Sequence, residues 1–354
     1  MAERLYLDHA AATPVSAVAR TAFAEGMARW ANPSSPHAEG RAARAALEEA
    51  RNRIKSALDW DGEVLFTSGA TEAIMIGLQR ADCDAVLVSS TEHEAVHRVV
   101  PKAYIIPVGS DGLVAHDTLV GRLGALGARR PLVAIQSVNN ETGVQQPLGV
   151  LAGVVRAAKG HLFVDASQSA SKAPLPSADM IAISGHKFGG PPGVGALLVR
   201  DLALLSPSGG QERGYRPGTE NLPGVLGMAA AIETSYGWIE RAGELRAHLD
   251  AAIESNSGQI VAKGAPKLAT VSCYRMPGVT ASAQLIQFDL AGISVSAGSA
   301  CSSGSLKSSH VLAAMGWSEA DASEVIRVSF GPETNRADIY RFIDAWKRIA
   351  GQTR

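Results

Sequence analysis

Between about residue 40 and residue 200, short apolar runs alternate with amphipathic stretches, and this alternation confines the chain to an α/β architecture. Residues 42–58 place Leu47, Ala50, Ile54 and Leu58 at helical spacing, with Arg and Glu opposite. Residues 64–66 read as a strand, 67–71 as a turn, and a helix follows to Leu78. Further strands are expected at 85–88, 132–135, 162–165, 180–183 and 194–199, with a helix over 148–158. Such an order builds a mostly parallel sheet covered by helices on both faces. A long helical stretch is expected over 223–253. Beyond it, strands at 268–271, 293–295 and 325–328 alternate with helices near 281–290, 308–315 and 335–350, the texture of a smaller α+β domain. The expected division is a large domain over 15–240 and a small one over 241–354 that includes 1–14.

Composition narrows the function. A chain of 354 residues exceeds one simple core. Charged residues make up 19%, apolar ones 46%, and the net charge is −1, which gives no case for a nucleic-acid or acidic-membrane partner. Three cysteines (Cys83, Cys273 and Cys301) form no disulfide framework and suit a reducing compartment, so a cytoplasmic location is expected. The first residues show no signal-peptide pattern, and no apolar run is long enough to span a membrane.

Asp165 ends one apolar run, and Lys187 follows the next through Ser184-Gly185-His186. Both side chains should emerge at neighbouring strand ends, the edge where open α/β sheets bind ligands. A lysine there can form a Schiff base with an aldehyde, and an aspartate can hold a pyridine nitrogen protonated. Together they describe a pyridoxal 5'-phosphate (PLP) site. Ser68-Gly69-Ala70-Thr71 follows a strand and opens a helix, a turn whose free amides and Thr71 hydroxyl suit a phosphate. Ser184 and His186 could reach the same phosphate. The glycine-rich loop 209–219, with two arginines and Thr219, can close over an anion or cross to a second subunit.

His93 follows a strand end, where an imidazole can stack on a ring and shuttle protons. It also begins His93-Glu94-Ala95-Val96-His97, the H-E-x-x-H pattern of zinc peptidases. That reading lacks a third ligand and leaves Asp165, Lys187 and loop 209–219 unexplained, so no metal site is expected. Residues 296–305 are only Gly, Ser and Ala around Cys301, which suits a mobile, reactive thiol. Arg327, inside the apolar run 325–329, needs a carboxylate partner from the protein or from an amino-acid substrate.

These segments, in their order, resemble the cysteine desulfurases of the NifS/IscS kind, a class V aminotransferase group with the fold-type I architecture. The matching stretches are 6–11, 32–35, 67–72, 91–93, 138–143, 165–168, 184–187, 209–219 and 298–302, and they cover nearly the whole chain. The resemblance implies that Lys187 holds the PLP aldehyde and moves protons, Asp165 pairs the ring nitrogen, Gln168 bonds the ring oxygen and His93 stacks on the ring. It further implies that Ala70, Thr71, Ser184 and His186 bind the phosphate, with Thr219 reaching it from the partner of a homodimer. Arg327 and Asn140, with Asn32 nearby, would hold the carboxylate of L-cysteine. Cys301 would take its sulfur as a persulfide and release alanine. The near alternatives are a selenocysteine lyase, another class V reaction, or a non-catalytic sulfur-relay protein. The chain ends soon after its last helix, where housekeeping members continue with a tail that docks an iron–sulfur scaffold protein. The sulfur acceptor is therefore open among iron–sulfur assembly, nitrogenase, tRNA thiolation and DNA sulfur modification.

Overall fold

The computed structural model describes residues 4–234, 237–298 and 308–351. Seven strands form the main sheet: β2 (Glu63–Thr67), β3 (Ala85–Ser89), β4 (Tyr104–Ile106), β5 (Pro131–Ala134), β6 (His161–Asp165), β7 (Met180–Ser184) and β8 (Gly195–Val199). Their spatial order is β2-β8-β7-β6-β5-β3-β4. β8 runs antiparallel to both its neighbours and all other pairs are parallel. Every strand but β8 therefore delivers its carboxyl end to one edge. Burial on both faces explains the unbroken apolar runs. Along β6 and β7, Leu162, Val164, Ile181 and Ile183 enter one core cluster, while Phe163, Met180 and Ala182 enter a second on the opposite face.

A separate core cluster joins Leu5 and Leu7 to residues between Ala242 and Ile349. Its framework is the antiparallel sheet β12 (Val325–Ser329), β10 (Val271–Arg275) and β9 (Gln259–Ile260). Alongside it, β1 (Leu5–Tyr6) pairs in parallel with β11 (Ile293–Ser294). The chain start is thus stitched to the C-terminal half, and a bridge from Asp8 to Ser329 continues the join.

Two expected elements differ. The long helical stretch is two helices, Leu222–Ile232 and Trp238–Ser255. The first is buried almost all round, with Asn221 capping its start at Gly224, and it ends at Glu233-Thr234; Gly237 caps the second without a side-chain bond. Apolar content runs across both, so periodicity alone hides the break. The strand expected at 268–271 begins instead at Val271, because Leu268 donates its N–H to Gly143 O and turns the chain. Among the described residues, no helix is long and apolar enough to cross a membrane.

Candidate active site

A cavity of about 1270 Å³ lies along the carboxyl edge of the main sheet. Asp165, Gln168, Ser184, His186 and Lys187 line it, as do Ala70, Thr71, His93, Asn140 and Arg327. The predicted residues thus converge from five strand ends and from β12. Asn32 and Thr219 are not among the lining residues. Asn32 Oδ1 accepts from Ser34 N at 2.9 Å, and the Thr219 side chain is exposed on its loop. Cys301 lies outside the described residues, while Gly298 and Ser308 on either side of that gap line the cavity.

Lys187 follows β7 on a short 3-10 turn and donates to Ala10 O at 2.7 Å and Ala11 O at 2.9 Å. Burial pulls its ammonium down to about 8, aided by Arg327 and opposed by Asp165 and Asp8. A lysine so tuned carries a substantial neutral fraction near neutral pH, which is what attack on an aldehyde needs. Asp165 Oδ1 accepts from Ser167 N at 2.9 Å and Ser167 Oγ at 2.5 Å, so its carboxyl group is fixed in orientation at the end of β6. Glu92, also buried close by, is raised well above the usual carboxylate range by burial. Gln168 donates Nε2 to Ala10 O at 2.9 Å, and its Oε1 is buried without a partner.

The Ser68–Thr71 turn has a backbone that leaves donors open at a helix start. Gly69 has φ 155° and caps the helix Ala70–Gln79 with no side-chain bond; a Cβ there would meet only Ser184 Oγ, 3.8 Å away. Ser184 Oγ and His186 Nδ1 lie 3.0 Å apart, and burial beside Lys187 lowers His186 to about 4, so its ring is neutral. Amides, hydroxyls and a helix N-terminus therefore face one open spot.

His93 Nδ1 accepts from Ala95 N at 3.1 Å, which leaves the proton of the neutral ring on Nε2. Burial lowers its basicity, with Asp165 opposing and Lys187 reinforcing. His93 lies at the N-cap of the helix Glu94–Val99, which carries His97, and its Nδ1 is taken up by the Ala95 amide. Among the described residues no group of three His, Cys, Asp or Glu is placed to hold a metal.

Arg327 does find a protein carboxylate. Nη2 donates to Asp8 Oδ1 at 2.8 Å and Nη1 to Asn140 O at 3.0 Å, while Nε is buried without a partner among the described residues. Asp8, His310 and Glu141 are site residues that sequence reasoning did not single out. Asp8 had one available signal, the demand of a buried arginine for an acid. His310 Nε2 donates to Glu92 O at 2.9 Å across 218 positions, and nothing local announces that contact.

A strand-end lysine and aspartate sharing a cavity with a glycine turn that opens a helix, on a mostly parallel sheet, define a class of protein, and comparison with known proteins agrees. The sequence matches the family Aminotransferase class-V over residues 5–342. A cysteine desulfurase of Cereibacter sphaeroides is 34% identical over 99% of this chain and 97% of its own. A NifS-like protein from Rickettsia africae has a solved structure that superposes with a TM-score of 0.90 at 29% identity, covering 98% of this chain and 99% of that one. The solved structure of SspA in complex with cysteine superposes with a TM-score of 0.79 at 28% identity, covering 94% and 100%. The chain belongs to the class V aminotransferase family, in its NifS/IscS-type cysteine desulfurase branch. The zinc-peptidase reading of residues 93–97 falls with that assignment.

Proposed function

We propose that this chain is a PLP-dependent cysteine desulfurase that converts L-cysteine to L-alanine and passes the sulfur, through a persulfide on Cys301, to an acceptor protein. The observation that carries this reading is the convergence of Lys187, Asp165 and the Ser68–Thr71 turn on one cavity with a buried arginine opposite. The residues fit PLP: an uncapped helix start at Gly69, an orphaned buried oxygen on Gln168, and a lysine lowered to about 8. When bound, PLP supplies an electron sink for the carbanion next to the substrate carboxylate.

The chain's own residues do the rest. Lys187 holds the aldehyde and carries protons to and from the substrate carbon. Asp165 would pair the ring nitrogen, Gln168 would bond the ring oxygen, and His93 would stack on the ring. Ala70, Thr71, Ser184 and His186 hold the phosphate, joined by Thr219 of the second subunit in a homodimer. Arg327 and Asn140 take the substrate carboxylate, with Asn32 at the rim. The Cys301 thiolate attacks the substrate sulfur; an S–S bond forms, the C–S bond breaks, and its electron pair goes to carbon, which takes a proton to become the alanine methyl. Residues 15–240 are the cofactor domain, and residues 241–354 with 1–14 are the small domain that brings Arg327 and Cys301. The proposed acceptor is a cytoplasmic protein, such as an iron–sulfur scaffold, of an iron–sulfur or thiolation pathway.

The test is to supply L-cysteine and a reductant and to measure alanine and sulfide together. Equal yields over many turnovers are expected. Cys301→Ala should keep the yellow cofactor colour and make no persulfide; unchanged persulfide would overturn the assigned nucleophile. Absence of alanine from yellow protein would overturn the substrate.

A further inference from the structure

Loop 209–219 is held in a backbone conformation that its sequence alone would not choose. Gly209, Gly210, Gly214 and Gly218 have φ of 81°, 87°, 87° and 95°, which glycine tolerates. Glu212 and Arg213 also have positive φ, 45° and 57°, and neither is glycine. Such residues persist only where the surroundings over-determine them.

Glu212 supplies the determinant. It is 3% exposed, and Oε2 accepts from Phe66 N and from Arg51 Nη1, both at 2.9 Å, while Oε1 accepts from Arg51 Nη2 at 3.2 Å. The Arg51 guanidinium lies over the Phe66 ring, 4.5 Å from its centre, and donates to Val64 O. Phe66 sits in β2, two residues before the turn Ser68–Thr71. On the far side of that turn, Arg216 Nε meets Glu72 Oε1 at 3.2 Å, and Glu72 Oε2 accepts from Ser68 N at 2.5 Å. The loop is therefore tied to the phosphate turn at both ends, before it at Phe66 and after it at Glu72. The second tie also sets a cation against the one carboxylate in that helix's first turn.

We propose that Glu212 is a positioning residue for the cofactor phosphate, coupling loop 209–219 to the Ser68–Thr71 turn of the same chain, so that this turn's grip on its own phosphate and the Thr219 grip on the second subunit's phosphate act as one unit. This rests on the reading that PLP binds here and that Thr219 serves a phosphate. Removing Glu212 alone would strand a buried arginine, so the informative variant replaces the pair, Arg51→Met with Glu212→Leu, which an apolar core accommodates. The holoenzyme is compared with wild type by urea unfolding, by the rate of PLP release, and by the phosphorus NMR resonance of the bound phosphate. The pair variant should unfold cooperatively, release PLP about tenfold faster and shift the resonance. Adding Thr219→Val should then speed release by less than about twofold, because residues acting as a unit are not additive. Unchanged release and resonance, or a Thr219→Val effect that adds in full, would overturn the coupling. Should the pair variant not fold, Arg216→Gln opens the second tie on the half-buried surface; faster release with a shifted resonance supports the proposal, and wild-type values overturn it. Wild-type protein that holds no PLP overturns the underlying reading first, a result separable from a failed latch.

Discussion

The cavity has two walls built on different plans. The main-sheet wall collects its polar groups at the carboxyl ends of parallel strands, where side chains leave the core and meet local backbone partners, as Asp165 meets Ser167 two residues on. The wall from the C-terminal half contributes Arg327 from the middle of β12, buried and satisfied only by groups 187 and 319 positions away. The first wall is preorganised by its topology. In the second, Asp8 from the chain start pairs the buried arginine. A binding wall and a responsive wall face each other, and substitutions on each should fail in different ways.

The sharpest contrast comes from Lys187→Ala. It removes the amine proposed to hold the aldehyde and to carry protons, while the remaining wall stays folded. Turnover should fall by roughly a thousandfold or more, with PLP held loosely and without its yellow colour. The same amine sets the pH dependence of cofactor capture by the wild-type apoprotein. Only neutral lysine attacks, and its ammonium is lowered to about 8, so the capture rate should rise with pH and level off above about 8. A rate still climbing toward the ordinary lysine range would show that burial does not tune this group.

Arg327→Ala tests the other wall. PLP should remain bound and coloured, because Arg327 touches none of the residues assigned to the ring or phosphate. The loss should fall on the substrate: KM for cysteine rises by about a hundredfold, the scale of removing one member of a buried charge pair. Part of that loss comes from Asp8, left facing the site without its cation. Arg327→Ala with Asp8→Asn should therefore recover some of the affinity. A change confined to PLP binding would place Arg327 on the wrong wall.

The same contrast decides what could be read from the sequence. Asp165, Lys187, His93 and the Ser68–Thr71 turn were legible because each follows a continuous apolar run, and such runs end at the binding edge of an α/β sheet. The Asp8–Arg327 pair was half legible: the buried arginine required an acid, but no local pattern points across 319 positions. The Arg51–Glu212 pair, 161 apart, was hidden for the same reason. The antiparallel sense of β8 escaped because an apolar run carries no direction. β4 escaped because Tyr104 and Ile105 are exposed at the sheet edge, and the break near 233–237 because composition continues across it. Thr219, expected at the phosphate, does not line this cavity.

The smallest effect on turnover should come from Lys172→Met, and it probes the ground beneath the first wall. Lys172 is buried, and burial, with Lys187 nearby, lowers it to about 7; it in turn helps to hold His9 at about 4. In the unfolded chain it returns to the ordinary lysine value near 10.5. Between about pH 7 and 10.5 the unfolded state therefore binds one more proton than the folded state. Stability from this group is present above that window and declines as pH falls through it, by up to about 1.4 kcal/mol per unit. Methionine has similar length and no charge to desolvate. Lys172→Met should stabilise the protein at pH 6 by about 1–3 kcal/mol and by much less at pH 10, with turnover within a factor of a few. Urea unfolding at the two pH values reads this directly. An equal gain at both would mean that packing, and not a buried proton, limits this part of the core, and the main-sheet wall would then rest on neutral ground.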